Sequence, residues 1–156
     1  MPRYGSVPKR KIAPDVVYGS VLVSKFVNKM IVGGKKEQAE KILYGAMEVV
    51  KQSLNQEPLA VFEKAIANLV PLLEVKPRRV GGATYQVPIE ISRDRAQALA
   101  MQWLRNAARG RPGKSMVENL AAELMDAYNK TGNAIKNREN LHKTAEANRA
   151  FAHFRW

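Results

Sequence analysis

Apolar residues recur at three- and four-residue spacing along much of the chain. Ala39, Ile42, Leu43, Ala46, Met47, Val50 and Leu54 draw one stripe, which predicts a helix from about Glu37 to Leu54. Phe62, Ala65, Ile66, Leu69 and Val70 draw another from about Pro58 to Leu69. Pro58 suits a first helical turn, where its missing N–H costs nothing, and Pro71 falls where the helix must end. Ala96, Leu99, Ala100, Trp103, Leu104 and Ala107 line a further helix, with Ser92 as N-cap and Gly110 as its stop. Ser115-Met116-Val117-Glu118 has the form of a capping box, followed by the stripe Val117, Leu120, Ala121, Leu124 and Tyr128, with Gly132 ending that helix. From about Asn133 a last helix carries only a thin stripe (Ala134, Leu141, Ala145, Ala152), and Lys136, Arg138, Lys143 and Arg149 cover much of the rest. Val16–Val32 is rich in β-branched residues, which favours strand. Val23, Val27, Met30 and Ile31 nevertheless keep helical spacing before Gly33-Gly34, so the expectation there is a helix.

The period changes once. Tyr85, Val87, Ile89 and Ile91 alternate with Thr84, Gln86, Pro88 and Glu90, and Gly81-Gly82 upstream can take the positive φ angles of a two-residue hairpin turn. That turn sets Arg78 opposite Tyr85, Lys76 opposite Val87, and Arg79 opposite Thr84 on the other face. Pro77 and Pro88 exclude the middle of a large sheet. The expected fold is mainly α: a single domain over 1–156, with about six helices in a bundle and one protruding β-hairpin (about 74–91) between the third and fourth. Residues 1–15 read as a basic, flexible arm, with Arg3, Lys9, Arg10 and Lys11 among three prolines. Residues 16–156 form the core that carries the hairpin.

Composition narrows the class. The chain has 156 residues, 46% of them hydrophobic, and no cysteine, which excludes a disordered tail, a disulfide framework and a thiolate metal site. The longest stretch without a charged residue, Val80–Ile89, is ten residues, against about 20 for a transmembrane helix. The first residues hold no apolar signal core. A soluble intracellular protein is the expectation. The net charge is +12, from 26 Lys and Arg against 14 Asp and Glu. It is blocked: residues 1–36 carry +7, 96–114 carry +4 and 131–156 carry +3, while 37–73 and 115–130 carry −2 each. Interspersed signs would serve solubility; blocks of one sign point to a polyanionic partner.

No catalytic constellation accompanies this charge. His142 and His153 lie eleven residues apart, and the sequence has no His-Glu-x-x-His and no Cys-His cluster. Gly34-Lys35 lacks both the first glycine and the Ser/Thr of a phosphate loop, and the glycine pairs lack dinucleotide spacing. The expectation is no enzyme, no cofactor, no metal and no small-molecule substrate. The cations stand at element ends and turns: Lys35 and Lys36 after a helix, Arg78 and Arg79 before the hairpin turn, Arg93 and Arg95 opening a helix, and Arg109, Arg111 and Lys114 between two helices. Long side chains there reach phosphates without disturbing a core. Tyr85 can stack on a base or pack on the helix beneath it. Trp103, on an apolar stripe, reads as core. The terminal Phe151-Ala152-His153-Phe154-Arg155-Trp156 can cap the core or dock on RNA or a neighbouring protein. Dispersed patches with a hairpin suit a folded RNA read by shape better than duplex DNA, which stands second.

Several ordered motifs carry a resemblance. Met1-Pro2-Arg3 opens the chain, and Gly34-Lys35-Lys36 is followed by Ile42-Leu43. Then come Arg78-Arg79-Val80-Gly81-Gly82-Ala83-Thr84-Tyr85-Gln86-Val87-Pro88, Lys114-Ser115-Met116, and Ala145-Glu146-Ala147-Asn148-Arg149-Ala150-Phe151-Ala152-His153. Over essentially its whole length the chain resembles the bacterial family of small-subunit ribosomal protein seven. The resemblance implies a structural constituent of the small subunit. It implies a primary 16S rRNA binder in the 3′ major domain that nucleates assembly of the head, in the cytoplasm or in an organellar ribosome of bacterial type. It places the protein at the subunit interface near the exit-site tRNA and mRNA, beside the ninth and eleventh small-subunit proteins. Some members repress translation of their own operon.

Carried onto this sequence, the resemblance makes rRNA contacts of Arg3, Lys9, Arg10, Lys11, Lys25, Lys35, Lys36, Lys76, Arg78, Arg79, Arg95, Arg109, Arg111, Lys114, Lys136, Arg138 and Arg149. It sets Gly81, Gly82, Ala83 and Tyr85 at a hairpin tip near tRNA and mRNA. The chain departs from the family pattern at Asn137, where a second lysine is common, at Asn140, where an acid is common, and at Phe154, where Tyr is common.

Overall fold

The computed structural model describes Gly5 and residues 10–154. Among these, the chain forms six α-helices and one two-stranded antiparallel sheet: α1 (Val21–Met30), α2 (Lys36–Leu54), α3 (Pro58–Leu69), β1 (Leu73–Val80), β2 (Ala83–Glu90), α4 (Arg93–Gly110), α5 (Met116–Tyr128) and α6 (Gly132–Ala147), then a 3₁₀ helix (Arg149–Phe154). The mainly helical fold with a hairpin between the third and fourth helices is the one the apolar periods predict.

α5 packs against α2, α3, α4 and α6. The stripes meet there: Leu43 and Met47 of α2, Phe62, Ile66 and Leu69 of α3, Leu104 of α4, and Leu120 and Leu124 of α5 are all buried. Phe26 of α1 meets Phe62 edge-on, with centroids 5.5 Å apart. Trp103 lies at the margin of this core, partly buried against it. Among the described residues, no helix is long and apolar enough to cross a membrane.

The hairpin register is the expected one, Arg78 opposite Tyr85, Lys76 opposite Val87 and Arg79 opposite Thr84. Gly81 and Gly82 turn at φ +56° and +85°, which side-chain-bearing residues resist. With two strands each proline lies on an edge, so neither interrupts a central ladder. The hairpin root packs on α6, and β2 packs on the 3₁₀ helix.

Three boundaries differ from the sequence reading. The first helix starts at Val21, not Val16. The Asp15 carboxylate accepts the N–H groups of Val17 and Tyr18 at 3.1 and 3.0 Å and the Tyr44 hydroxyl at 2.7 Å. This folds the residues after Asp15 into a turn, and the helix cannot begin until it closes. Gly132 does not end α5: that helix stops at Tyr128, and Gly132 opens α6. The last helix breaks after Ala147, where the Asn148 side chain donates to the Thr144 carbonyl at 2.8 Å. Ser92 occupies the N-cap of α4 with no side-chain bond, whereas the Ser115–Glu118 capping box is fully formed.

Candidate nucleic-acid interface

The exposed cations sort by element. Lys35 and Lys36 stand at the start of α2, Lys76 and Arg79 on the hairpin, Lys114 just before α5, Lys136 on α6, and Arg149 on the 3₁₀ helix. Arg10 and Lys11 are exposed ahead of the Asp15 turn. Arg3 and Lys9 lie outside the described residues. A groove of about 570 Å³ between α1 and α4 gathers Arg10, Lys25 and Lys29 around an apolar floor that includes Met101. A smaller one, about 180 Å³, brings Lys35, the N-cap of α2, beside Arg109 of α4.

Other cations of the sequence reading are engaged inside the protein. Arg111 folds inward: its Nε donates to Glu123 at 2.7 Å, and its terminal nitrogen pairs with both Glu123 and Asp126. Burial works against the charge on Arg111, but the hydrogen bonds to Asp126 and Glu123 outweigh it and raise its proton affinity. Glu123 is fully buried, and its other oxygen accepts the Ala134 N–H at 2.8 Å, satisfying an orphan donor in the first turn of α6. Gly132 lets this happen: a Cβ there would lie 2.8 Å from Asp126 Cβ and 3.1 Å from Glu123 Oε1.

Arg138 donates to the Asn68 carbonyl at the end of α3. Asn68 in turn donates to the last carbonyls of α5, Ala127 and Tyr128, at 3.0 Å each. Arg95 pairs with Glu74 at 2.8 Å, tying α4 to β1 while remaining 55% exposed. That hydrogen bond and the charge of Glu74 raise the proton affinity of Arg95. Lys25 donates to Gln97 at 3.2 Å. Arg105 and Arg109, one turn apart on α4, donate to the Lys29 and Met30 carbonyls at 3.0 and 3.2 Å and so cover the C-terminus of α1. Arg109 nonetheless remains exposed overall.

Tyr85 packs: its ring lies 4.8 Å from Phe151, tilted by 43°. Arg78, beside it, is half-buried. His142 Nε2 accepts the Leu72 N–H at 3.2 Å, holding the approach to β1 against α6. Among the described residues, no three His, Cys, Asp or Glu side chains gather as metal ligands.

Two residues escaped the sequence reading. Arg105 was hidden because its carbonyl partner, Lys29, lies 76 residues earlier in the chain. Glu123 left a signal: it falls between Leu120 and Leu124 on the buried face of α5, where an acid needs a partner.

Residues 2–149 match the family model described as ribosomal protein S7p/S5e. Two relatives named small ribosomal subunit protein uS7, from Dictyoglomus turgidum and Dictyoglomus thermophilum, are each 58% identical over 156 residues, covering all of both chains. A third of the same name, from Carboxydothermus hydrogenoformans, is 56% identical over the same full span. With likeness of this depth running along the helices and the hairpin alike, the chain belongs to the ribosomal protein S7p/S5e family.

Proposed function

We propose that the protein is a structural constituent of the small ribosomal subunit, a ribonucleoprotein component of translation that binds 16S rRNA. The full-length match to uS7 proteins carries this reading. It is supported by a compact core whose charge is displayed at helix ends and on a hairpin, where phosphates can be met without disturbing packing. The finer role is binding in the 3′ major domain to nucleate head assembly, with the hairpin tip (Gly81, Gly82, Ala83) near the exit-site tRNA and mRNA. The ninth and eleventh small-subunit proteins are its neighbours, and its own operon mRNA is a regulatory target. The ribosome of the cytoplasm is its place.

Exposure suggests how the proposed contacts divide. Arg10, Lys11, Lys35, Lys36, Lys76, Arg79, Lys114, Lys136 and Arg149 are exposed and carry the phosphate contacts, with Arg3 and Lys9 on the same arm. Arg95, Arg109 and Lys25 combine an internal bond with access to the surface. Arg111 and Arg138 act as braces that set where their neighbours stand.

The test is binding of the chain to a transcript of the 3′ major domain of 16S rRNA, with duplex DNA as competitor. For six to ten phosphate contacts, affinity should fall by roughly 10³–10⁵ between 50 and 200 mM salt. Equal competition by DNA would overturn the reading. Nuclease footprinting of the complex then locates the protein on the rRNA.

A further inference from the structure

The turn after Asp15 displays apolar side chains in an otherwise basic neighbourhood. Val16 is 98% exposed and Val17 62%. The display is built, not loose. Asp15, only 7% exposed, accepts the Val17 and Tyr18 N–H groups and the Tyr44 hydroxyl of α2. The backbone closes the same turn, with Gly19 N–H donating to the Asp15 carbonyl at 2.9 Å and Asp15 N–H to Ser20 at 3.2 Å. Tyr18 leans on Tyr44, with ring centroids 5.9 Å apart. Five hydrogen bonds and an aromatic contact therefore hold out two valines that touch water.

Val16 and Ile12, itself 39% exposed, line a groove of about 410 Å³ with Arg10, Lys11 and Lys36. Of the two acids in that groove, Asp15 is buried with its carboxylate turned to the Val17 and Tyr18 N–H groups and the Tyr44 hydroxyl, and Glu40 is paired with Lys36 at 3.3 Å, which leaves the exposed Arg10 and Lys11 facing outward. The surroundings are thus cationic, and they select the occupant. A second copy of a chain carrying +12 would bring like charge against like. An RNA strand brings phosphates for the cations and unstacked bases for the apolar tip. Valine, with one stiff side-chain torsion on a closed turn, gives up little freedom on contact.

We propose that Val16 and Val17 form an apolar platform for an unpaired nucleobase of rRNA, flanked by phosphate contacts from Arg10, Lys11 and Lys36. The inference rests on the rRNA-binding reading above and adds a base contact to a surface otherwise made of charge.

The test compares the native chain, the Val16→Ser/Val17→Ser variant and the Val16→Ile/Val17→Ile variant on the 3′ major domain transcript across a salt series. The serine variant should bind about tenfold more weakly, since it loses apolar contact. Its slope of log affinity against log salt should be unchanged, since no phosphate contact is lost. The isoleucine variant should keep native affinity. Native affinity in the serine variant would overturn the platform and leave rRNA binding standing. A reduced salt slope would also overturn it, by showing that the turn acts only through its cations. So would a change of self-association in place of RNA affinity, which would make the occupant a second copy. Failure of the native chain to bind the transcript would sink the functional reading, and the platform with it.

Discussion

Glu123 and Arg111 meet across 2.7 Å with the carboxylate fully buried, and the same carboxylate closes the first turn of α6 through Ala134. One acid thus holds three segments: the loop after α4, the α5 helix that bears it, and the start of the helix that carries Lys136. Removing it strands a half-buried guanidinium and an orphan N–H together. Glu123→Ala should destabilise the fold by about 3–5 kcal/mol, read as a shift in urea midpoint. Glu123→Gln should lose less, because an amide oxygen can still accept from Ala134. A loss below about 1 kcal/mol for the alanine variant would show the pair is dispensable.

Gly132 and Gly34 both take positive φ, at +89° and +77°, yet only Gly132 has neighbours where a Cβ would go. Gly34→Ala should therefore cost only the backbone penalty, about 1–2 kcal/mol. Gly132→Ala adds a clash with Asp126 and should cost about 1–3 kcal/mol more. Thermal melts of the two variants side by side provide the check, and equal losses would remove the steric account.

The Tyr44 hydroxyl gives an alkaline signature. Burial first, and then its hydrogen bond to Asp15, raises the phenol above its ordinary value. A group whose proton is held more tightly in the folded state stabilises fully below its unfolded value, and that stability drains away as pH climbs beyond it. Stability should therefore hold up to about pH 10 and fall above it. Tyr44→Phe should lose about 1 kcal/mol at neutral pH and flatten the alkaline decline. Tyr18, raised mainly by burial, leaves a residual slope. An unchanged alkaline slope in Tyr44→Phe would count against the Asp15 bond.

Arg79 and Arg111 separate binding from bracing. Arg79 is exposed on the hairpin, whereas Arg111 is only 26% exposed against its two acids. Arg79→Ala should reduce the salt slope of rRNA binding by about 1 without moving the melting temperature. Arg111→Ala should lower the melting temperature, and, where folded, keep the native slope. The reverse pattern would make Arg111 the phosphate contact.

Much of this was legible before the fold was seen, and the reason is locality. The Gly81-Gly82 turn fixes register by counting outward, so the Arg78–Tyr85 pair follows from two residues. The Ser115–Glu118 box is complete within four. What could not be read depends on residues far apart. The start of α1 turns on Tyr44, 29 residues beyond Asp15. Arg111 has the sequence signature of a surface cation, and only the folding of α5 back along the loop delivers Glu123 and Asp126 to it. Gly132, read as a stop, is a clearance for that same carboxylate. The charge pattern located where cations gather, but it could not say which of them face solvent and which point inward.

The contact between Tyr85 and Phe151 has a mechanical consequence. Each strand of the hairpin has eight residues, and its root is held as far as the buried Val87, so without Tyr85 the ribbon would overhang by about 13 Å. Tyr85 rests on the 3₁₀ helix two pairs short of the turn, which leaves a free span of about 7 Å before the glycines. The end deflection of a loaded beam grows as the cube of its free length, so halving that length stiffens the tip several-fold. The position of Arg79 in space thereby depends on the 3₁₀ helix, and removing Phe151 would be felt at a turn about seventy residues earlier in the chain.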